Sequence, residues 1–184
     1  MTDIIMITVE DIKDKNFEEK DFVFFWKHTV AGKGCLSQWF SRPFEVDGES
    51  YHCMEQYLMA EKARLFGADK IHSKIMVATN PMAIKSLGRM VSGYDDSVWA
   101  SVRQQISVRG NLEKFRQNHD LKDYLVSTGD RILVEASPKD ILWGIGLDEF
   151  SPEASNPSCW KGCNLLGFAL MEVRDRIFLI SADQ

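Results

Sequence analysis

Two charged side chains stand where a helix should be apolar. In "YHCMEQYLMAEKARLF", Tyr51 to Phe66, a rotation of roughly 100° per residue puts Glu55, Met59, Lys62 and Phe66 almost on one line, flanked by Met54, Leu58 and Leu65. An amphipathic helix normally keeps its charges on the opposite face, and an ionised group is costly to bury without a partner. About 10 Å of helix separates Glu55 from Lys62, so pairing with each other needs strained reach. Each therefore finds its own compensation, at a helix end or a carbonyl, or the two line a polar pocket. Gln56 and Glu61 fall outside the stripe and are expected in solvent.

A second group of candidates lies in "SPKDILWGIG". Asp140 precedes Trp143 by three residues, just past a β-prone run, where strand ends and loops often carry function. Aspartate is also a common turn former, so both roles stay open. Trp143, next to Gly144, and Trp99 further upstream either plug a core or offer a flat face to a ring.

These residues need elements to position them. "DFVFFW", Asp21 to Trp26, reads as a strand ended by the Gly32 to Gly34 loop. "PFEVDGESYHC" carries an Asp47-Gly48 turn, a hairpin signal that presents the Glu55 helix. Asn80 as N-cap and Pro81 at the first helical position start a helix running to about Gly88, with Arg89 near its end. Asp95, Asp96 and Ser97 are capping candidates for a helix whose Trp99, Val102 and Ile106 repeat at helical spacing. "LKDYLVST" is a short helix stopped by Gly129. "RILVEAS" is a strand, and "PKDILWGIG" a turn with a further short strand. A Pro/Ser loop then leads to the closing amphipathic helix "NLLGFALMEVRDRI". Helices dominate and the strands do not alternate with them as in doubly wound folds. The expectation is a predominantly helical α+β domain. Neither "GKGCLS" nor "WGIGLDEF" has the strand, glycine spacing and following helix of a dinucleotide or P-loop fingerprint.

Composition narrows the classes. A chain of 184 residues can bury a core as one domain without staples. A net charge of -5 argues against general phosphate-backbone binding while leaving room for a phosphorylated small molecule on a few local basic groups. Cys35, Cys53, Cys159 and Cys163 have neither zinc-site spacing nor disulfide-scaffold density, so reduced thiols in a cytoplasmic protein are expected. Cys159, Cys163 and His52 are weak metal candidates, and no metal is expected. The opening "MTDIIMITVEDIKDKNFEEK" lacks a basic leader, and no later run approaches the roughly 20 apolar residues of a membrane span.

The order of several pieces carries a resemblance: "FFW", "LSQWFSRPFEVDGESYHCMEQYLMAEKA", "LGR", "WASVRQQI", "KF", "LVEASPKDILWGIG" and "WKGCNLLGFALMEVR". From about Phe24 to Arg174 the chain resembles the NADAR family, also called YbiA-like. The resemblance implies a compact YbiA-like single domain over residues 21–180, preceded by an extension over residues 1–20. It also implies enzymes that hydrolyse N-glycosidic bonds between ribose and a heterocycle. Substrates of the family are phosphoribosylamino-pyrimidine intermediates of riboflavin biosynthesis and ADP-ribose attached to guanine.

Carried onto matching positions, the resemblance implies a site of Glu55, Lys62, Trp99, Asp140 and Trp143, joined by Arg89, Asn164, Gly144 and Ser37. Two positions depart from the family pattern: Gln38 stands where an Asn usually follows the Ser, and Met54 replaces a small hydroxyl residue before Glu55. Breaking an N-glycosidic bond develops positive charge on the ribose and negative charge on the base, so Glu55 is expected to stabilise the first. Asp140 is expected to activate water or manage the leaving-group proton. Trp99 or Trp143 would stack on the heterocycle, and Arg89 would pair with a phosphate through its planar fork.

Desolvation on the apolar stripe would bias Lys62 toward a neutral amine that forms an imine with the anomeric carbon. The rival role is a charged Lys62 that holds a phosphate or a ribose hydroxyl. Lys114 also matches a family lysine, but its helix gives no comparable reason for desolvation. The expected partner is a phosphorylated ribosyl or ADP-ribosyl small molecule, including ADP-ribosylated nucleic acid, with no cofactor. The alternative is a module that binds ADP-ribose or a nucleotide without cleaving it.

Overall fold

The computed structural model describes residues 7–182; the first six residues of the expected N-terminal extension lie outside that range. The elements in chain order are α1 (Val9–Ile12), β1 (Phe22–Phe25), β2 (Phe44–Val46), β3 (Glu49–Tyr51), α2 (Met54–Leu65), α3 (Asp69–Val77), α4 (Pro81–Gly88), α5 (Asp96–Gln117), α6 (His119–Ser127), β4 (Ile132–Glu135) and α7 (Leu165–Ala182). Helices predominate over short strands, which is the α+β class expected from the sequence. Two compact units form: Gln38–His119, and the described residues up to Ser37 together with those from Asp120 onward.

In the Gln38–His119 unit, β2 and β3 pair antiparallel with Phe44 opposite Tyr51. The hairpin turns at Asp47 and Gly48, whose φ angles of 53° and 81° lie in the left-handed region that Asp-Gly turns accommodate. The chain then enters α2, the helix around which α3, α4 and α5 pack. Close approach depends on missing side chains: a Cβ on Gly110 of α5 would overlap the Tyr57 ring, and one on Gly88 of α4 would overlap the Met59 sulfur. The caps are made as expected. Asn80 Oδ1 accepts from the backbone N–H groups of Met82 and Ala83, and Asp95 Oδ1 accepts from those of Ser97 and Val98.

Helix α3 has no counterpart in the sequence reading. Ile75 is its only buried residue, and the helix starts after Ala68, which offers no capping side chain to mark the start. It is tied to α2 by Gln56, which is 3% exposed rather than solvated. Gln56 Nε2 donates to the carbonyls of Ile75 and Met76 at 3.1 Å each, and Oε1 accepts from the His52 backbone N–H at 2.9 Å. A buried amide that meets the loose carbonyls at a helix C-terminus satisfies both. Glu61 is half-buried and paired with Arg64, whereas Leu65 is exposed, so the apolar arc is narrower than its sequence suggests.

In the other unit, β1 and β4 pair parallel, with Phe22 opposite Ile132 and Phe25 opposite Glu135. Helix α7 covers β4 closely, because a Cβ on Gly167 would overlap the Leu133 carbonyl oxygen. The short strand expected in "PKDILWGIG" does not form. Asp140 bends the chain there, and the segment hydrogen-bonds as a loop: Ile145 N–H donates to Glu135 O and Lys161 N–H to Ile145 O, each at 2.9 Å.

Candidate active site

The extended backbone of Cys53 caps α2, which makes Glu55 the second residue of the helix. Its N–H donates to the Gln38 carbonyl at 2.9 Å. Its carboxylate Oε2 accepts from the indole Nε1 of Trp39 at 3.2 Å, and the residue is only 4% exposed. The free N–H groups at a helix start favour an anion by about 0.3–1 kcal/mol, and more when partly buried. The helix end and the indole both help to compensate the first charge that looked misplaced.

The second sits in the last turn of the same helix, where the carbonyl end favours a cation. Lys62 is half-buried, and its Nζ lies 3.9 Å from the centroid of the Tyr94 ring. The Tyr94 hydroxyl in turn donates to Asp96 Oδ1 at 2.6 Å. Burial pushes the Lys62 ammonium below the ordinary lysine range, and Asp96 opposes that shift. An aromatic face attracts the charged form and does nothing for the neutral amine, so this arrangement suits a cation.

Tyr94 and Asp96 lead into α5, where Trp99 is buried at 4% exposure. Arg89 C-caps α4 and is exposed. The preceding Gly88 rests on Met59, one turn before Lys62 on α2.

Lys114 is more deeply buried than Lys62, which overturns the expectation that its helix gives no reason for desolvation. It is 0% exposed, with Nζ 5.6 Å from the Phe40 ring centroid and 5.2 Å from that of Phe115. Ser107, Asn111 and Lys114 recur at helical spacing on a fully buried face of α5. This polar stripe faces inward. The Cys53 thiol reports on the same region: burial first, and then Glu55, push it up to about 11, while Lys114 opposes.

In the other unit Asp140, Trp143, Gly144 and Asn164 form one hydrogen-bonded cluster. Asp140 Oδ1 accepts from the N–H groups of Leu142 and Trp143 at 3.0 and 2.8 Å, so the aspartate builds its own turn. Trp143 is half-buried and its carbonyl accepts from Leu166 N–H at 3.1 Å. Gly144 has room for no side chain: a Cβ would meet Glu135 O at 2.7 Å. Asn164, at a φ of 51°, is 0% exposed and clamps β4, accepting from Glu135 N–H at 3.0 Å and donating to Leu133 O at 2.9 Å. Its side-chain amide is thus occupied on β4, while its backbone N–H donates to the Gly144 carbonyl at 3.2 Å and so holds the Asp140 loop. Ser37 is buried where the 3-10 turn Lys33–Leu36 ends.

Sequence reading did not single out Trp39, Tyr94 or Lys114 as site members, although "LSQWF" contains the indole that binds Glu55. Among the described residues no group of three His, Cys, Asp or Glu side chains is placed to hold a metal ion, and no helix is long and apolar enough to cross a membrane.

The Gln38–His119 unit thus holds a carboxylate nearly dry at the start of α2, bonded to an indole, and a half-buried cation in the last turn of the same helix. The NADAR domain matches residues 24–178. N-glycosidase R617 of Acanthamoeba polyphaga mimivirus is 41% identical over 166 residues, which cover 86% of this chain and 97% of that protein. N-glycosidase YbiA of Shigella flexneri serotype 5b (strain 8401) is 30% identical, over 86% of this chain and 90% of its own. The NMR structure of the Escherichia coli protein YbiA shares the fold with a TM-score of 0.73 at 24% identity, covering 96% of this chain and 95% of that one. The chain belongs to the NADAR family, and these relatives place it among hydrolases of N-glycosyl bonds.

Proposed function

We propose that the protein hydrolyses the bond between ribose and a heterocyclic base, on ADP-ribosylated guanine or on a phosphoribosylamino-pyrimidine. The observation that carries this reading is the Glu55 carboxylate, 4% exposed, bonded to Trp39 and seated at a helix N-terminus. It is an anion fixed before substrate arrives, which is what electrostatic stabilisation of a cationic ribosyl transition state requires.

In the reaction the C1′–N bond breaks and its electron pair departs with the base. Water oxygen bonds to C1′, one water proton goes to the base, and the other stays on the new hydroxyl. Glu55 stabilises the positive charge on the ribosyl ring. From the family resemblance we assign the water or leaving-group proton to Asp140 and a stacking role to Trp143. Ser37 and Gly144 belong to the substrate-binding set on the same ground, and Asn164 contributes by holding the Asp140 loop. The buried Trp99 supports the wall around the ligand. We assign Lys62 the charge-bearing role, with its ammonium and the exposed Arg89 guanidinium contacting phosphate or ribose oxygens. Four thiols with no disulfide among the described residues suit a reducing cytoplasm.

The test is to incubate the purified protein separately with guanine-ADP-ribosylated nucleotide, guanine-ADP-ribosylated DNA and a phosphoribosylamino-pyrimidine, and to measure released base. Release from one of them identifies the substrate class. Tight binding without release from any would make the protein a reader rather than an enzyme.

A further inference from the structure

Among the described residues, several buried polar side-chain atoms lack a hydrogen-bond partner, and one belongs to a residue bonded directly to Glu55. Gln38 is 7% exposed, its carbonyl accepts from Glu55 N–H at 2.9 Å, and its Nε2 is buried with no partner. The next residue, Trp39, holds the Glu55 carboxylate. A buried donor left unpaired costs stability, and such exceptions call for an explanation. Tyr57 Oη, also unpartnered, has a different setting: its ring packs in an aromatic cluster with Phe44 and Tyr51. Gln38 instead is bonded through its carbonyl to the backbone N–H of Glu55, the residue that carries the proposed catalytic carboxylate.

Glu55 only accepts hydrogen bonds when ionised, and so serves the cationic ribose. The departing heterocycle makes the opposite demand, because the electron pair of the broken bond accumulates on its nitrogen and needs a donor. An amide N–H held out of water is such a donor and carries no charge to repel the cation forming beside it. Building on the N-glycosidase reading, we propose that Gln38 is a catalytic residue whose Nε2 donates to the departing base. Its unpaired state without substrate is then a pre-formed subsite for the leaving group.

The test compares the wild-type chain with Gln38→Met, which keeps the shape and removes the donor, and Gln38→Asn, which keeps the donor on a shorter stem. Three readouts are needed: single-turnover base release from the substrate that wild type cleaves, the dissociation constant for that substrate, and the melting temperature. Gln38→Met is expected to slow release on the order of 100-fold, to leave the dissociation constant within about threefold, and to melt no lower than wild type. Gln38→Asn is expected to recover release to within about tenfold of wild type. If Gln38→Met does not fold, Gln38→Leu, which also removes the donor, carries the same comparison. Unchanged release in the donor-less variant overturns the proposal, as does a lowered melting temperature with a matching loss of binding. A wild-type protein that releases no base from any of the three substrates overturns the N-glycosidase reading itself, and does so before any variant is made.

Discussion

Trp39 Nε1 donates to Glu55 Oε2 at 3.2 Å across the start of α2, so the carboxylate is aimed by an aromatic side chain sixteen residues earlier in the sequence. Trp39→Phe keeps the ring and removes the N–H. Its effect should fall on turnover, with a decrease of about tenfold for one lost hydrogen bond of roughly 1.5 kcal/mol to a charged group, while the Michaelis constant stays close to wild type. A rise in the Michaelis constant at unchanged turnover would mean that the indole binds substrate and does not orient Glu55.

The position of Lys62 over the Tyr94 ring predicts that its charge matters more than its nucleophilicity. Lys62→Arg should keep activity within about tenfold, and Lys62→Met should raise the Michaelis constant by about 10–100-fold, as expected for a lost charge-assisted contact of roughly 1.5–3 kcal/mol. Borohydride added during turnover should leave no adduct on Lys62 by mass spectrometry. An adduct present in wild type and absent in Lys62→Met would establish the imine route at Lys62. One that survives Lys62→Met and disappears in Lys114→Met would move the covalent step to the buried lysine.

Trp99 is buried on α5, and truncating a buried tryptophan costs about 3–5 kcal/mol. Trp99→Ala should therefore melt well below wild type, as read by circular dichroism. Unchanged melting with weakened substrate binding would make Trp99 a platform for the base.

Alkali should loosen the start of α2. Burial raises the Cys53 thiol from 9.0 to about 11 and the Tyr51 phenol from 10.0 to about 12. A folded-state pKa above the unfolded value means that the native state resists losing the proton. The contribution of Cys53 is thus complete below 9.0 and is lost as pH climbs toward 11. Urea midpoints should fall across that window in wild type and fall less steeply in Cys53→Ala. Equal slopes in the two proteins would remove Cys53 from the alkaline transition.

Much of this was legible in the residues. The Asn80-Pro81 and Asp95 starts of α4 and α5 were readable because capping chemistry is local, and so was the Asp47-Gly48 hairpin. The misplaced charges of α2 were visible because helical period makes a charge on an apolar arc conspicuous. What escaped depends on tertiary contact. Helix α3 is short, buries little and starts after Ala68, which offers no capping side chain. Gln56 looks outward on the helical wheel until α3 supplies carbonyls for it, and Lys114 lies on a polar stripe that is fully buried. The Asn164 clamp on β4 links residues some thirty positions apart, a distance at which periodicity carries no information.

Glu55→Gln tests most directly whether Glu55 acts in the transition state. The amide has the size of the carboxylate and lacks its charge. Single-turnover base release and equilibrium binding should be measured on the same protein, with the substrate that wild type cleaves. The predicted result is release slowed by about 100-fold or more with affinity held within a few-fold. Release at a rate close to wild type in a folded Glu55→Gln protein would contradict it.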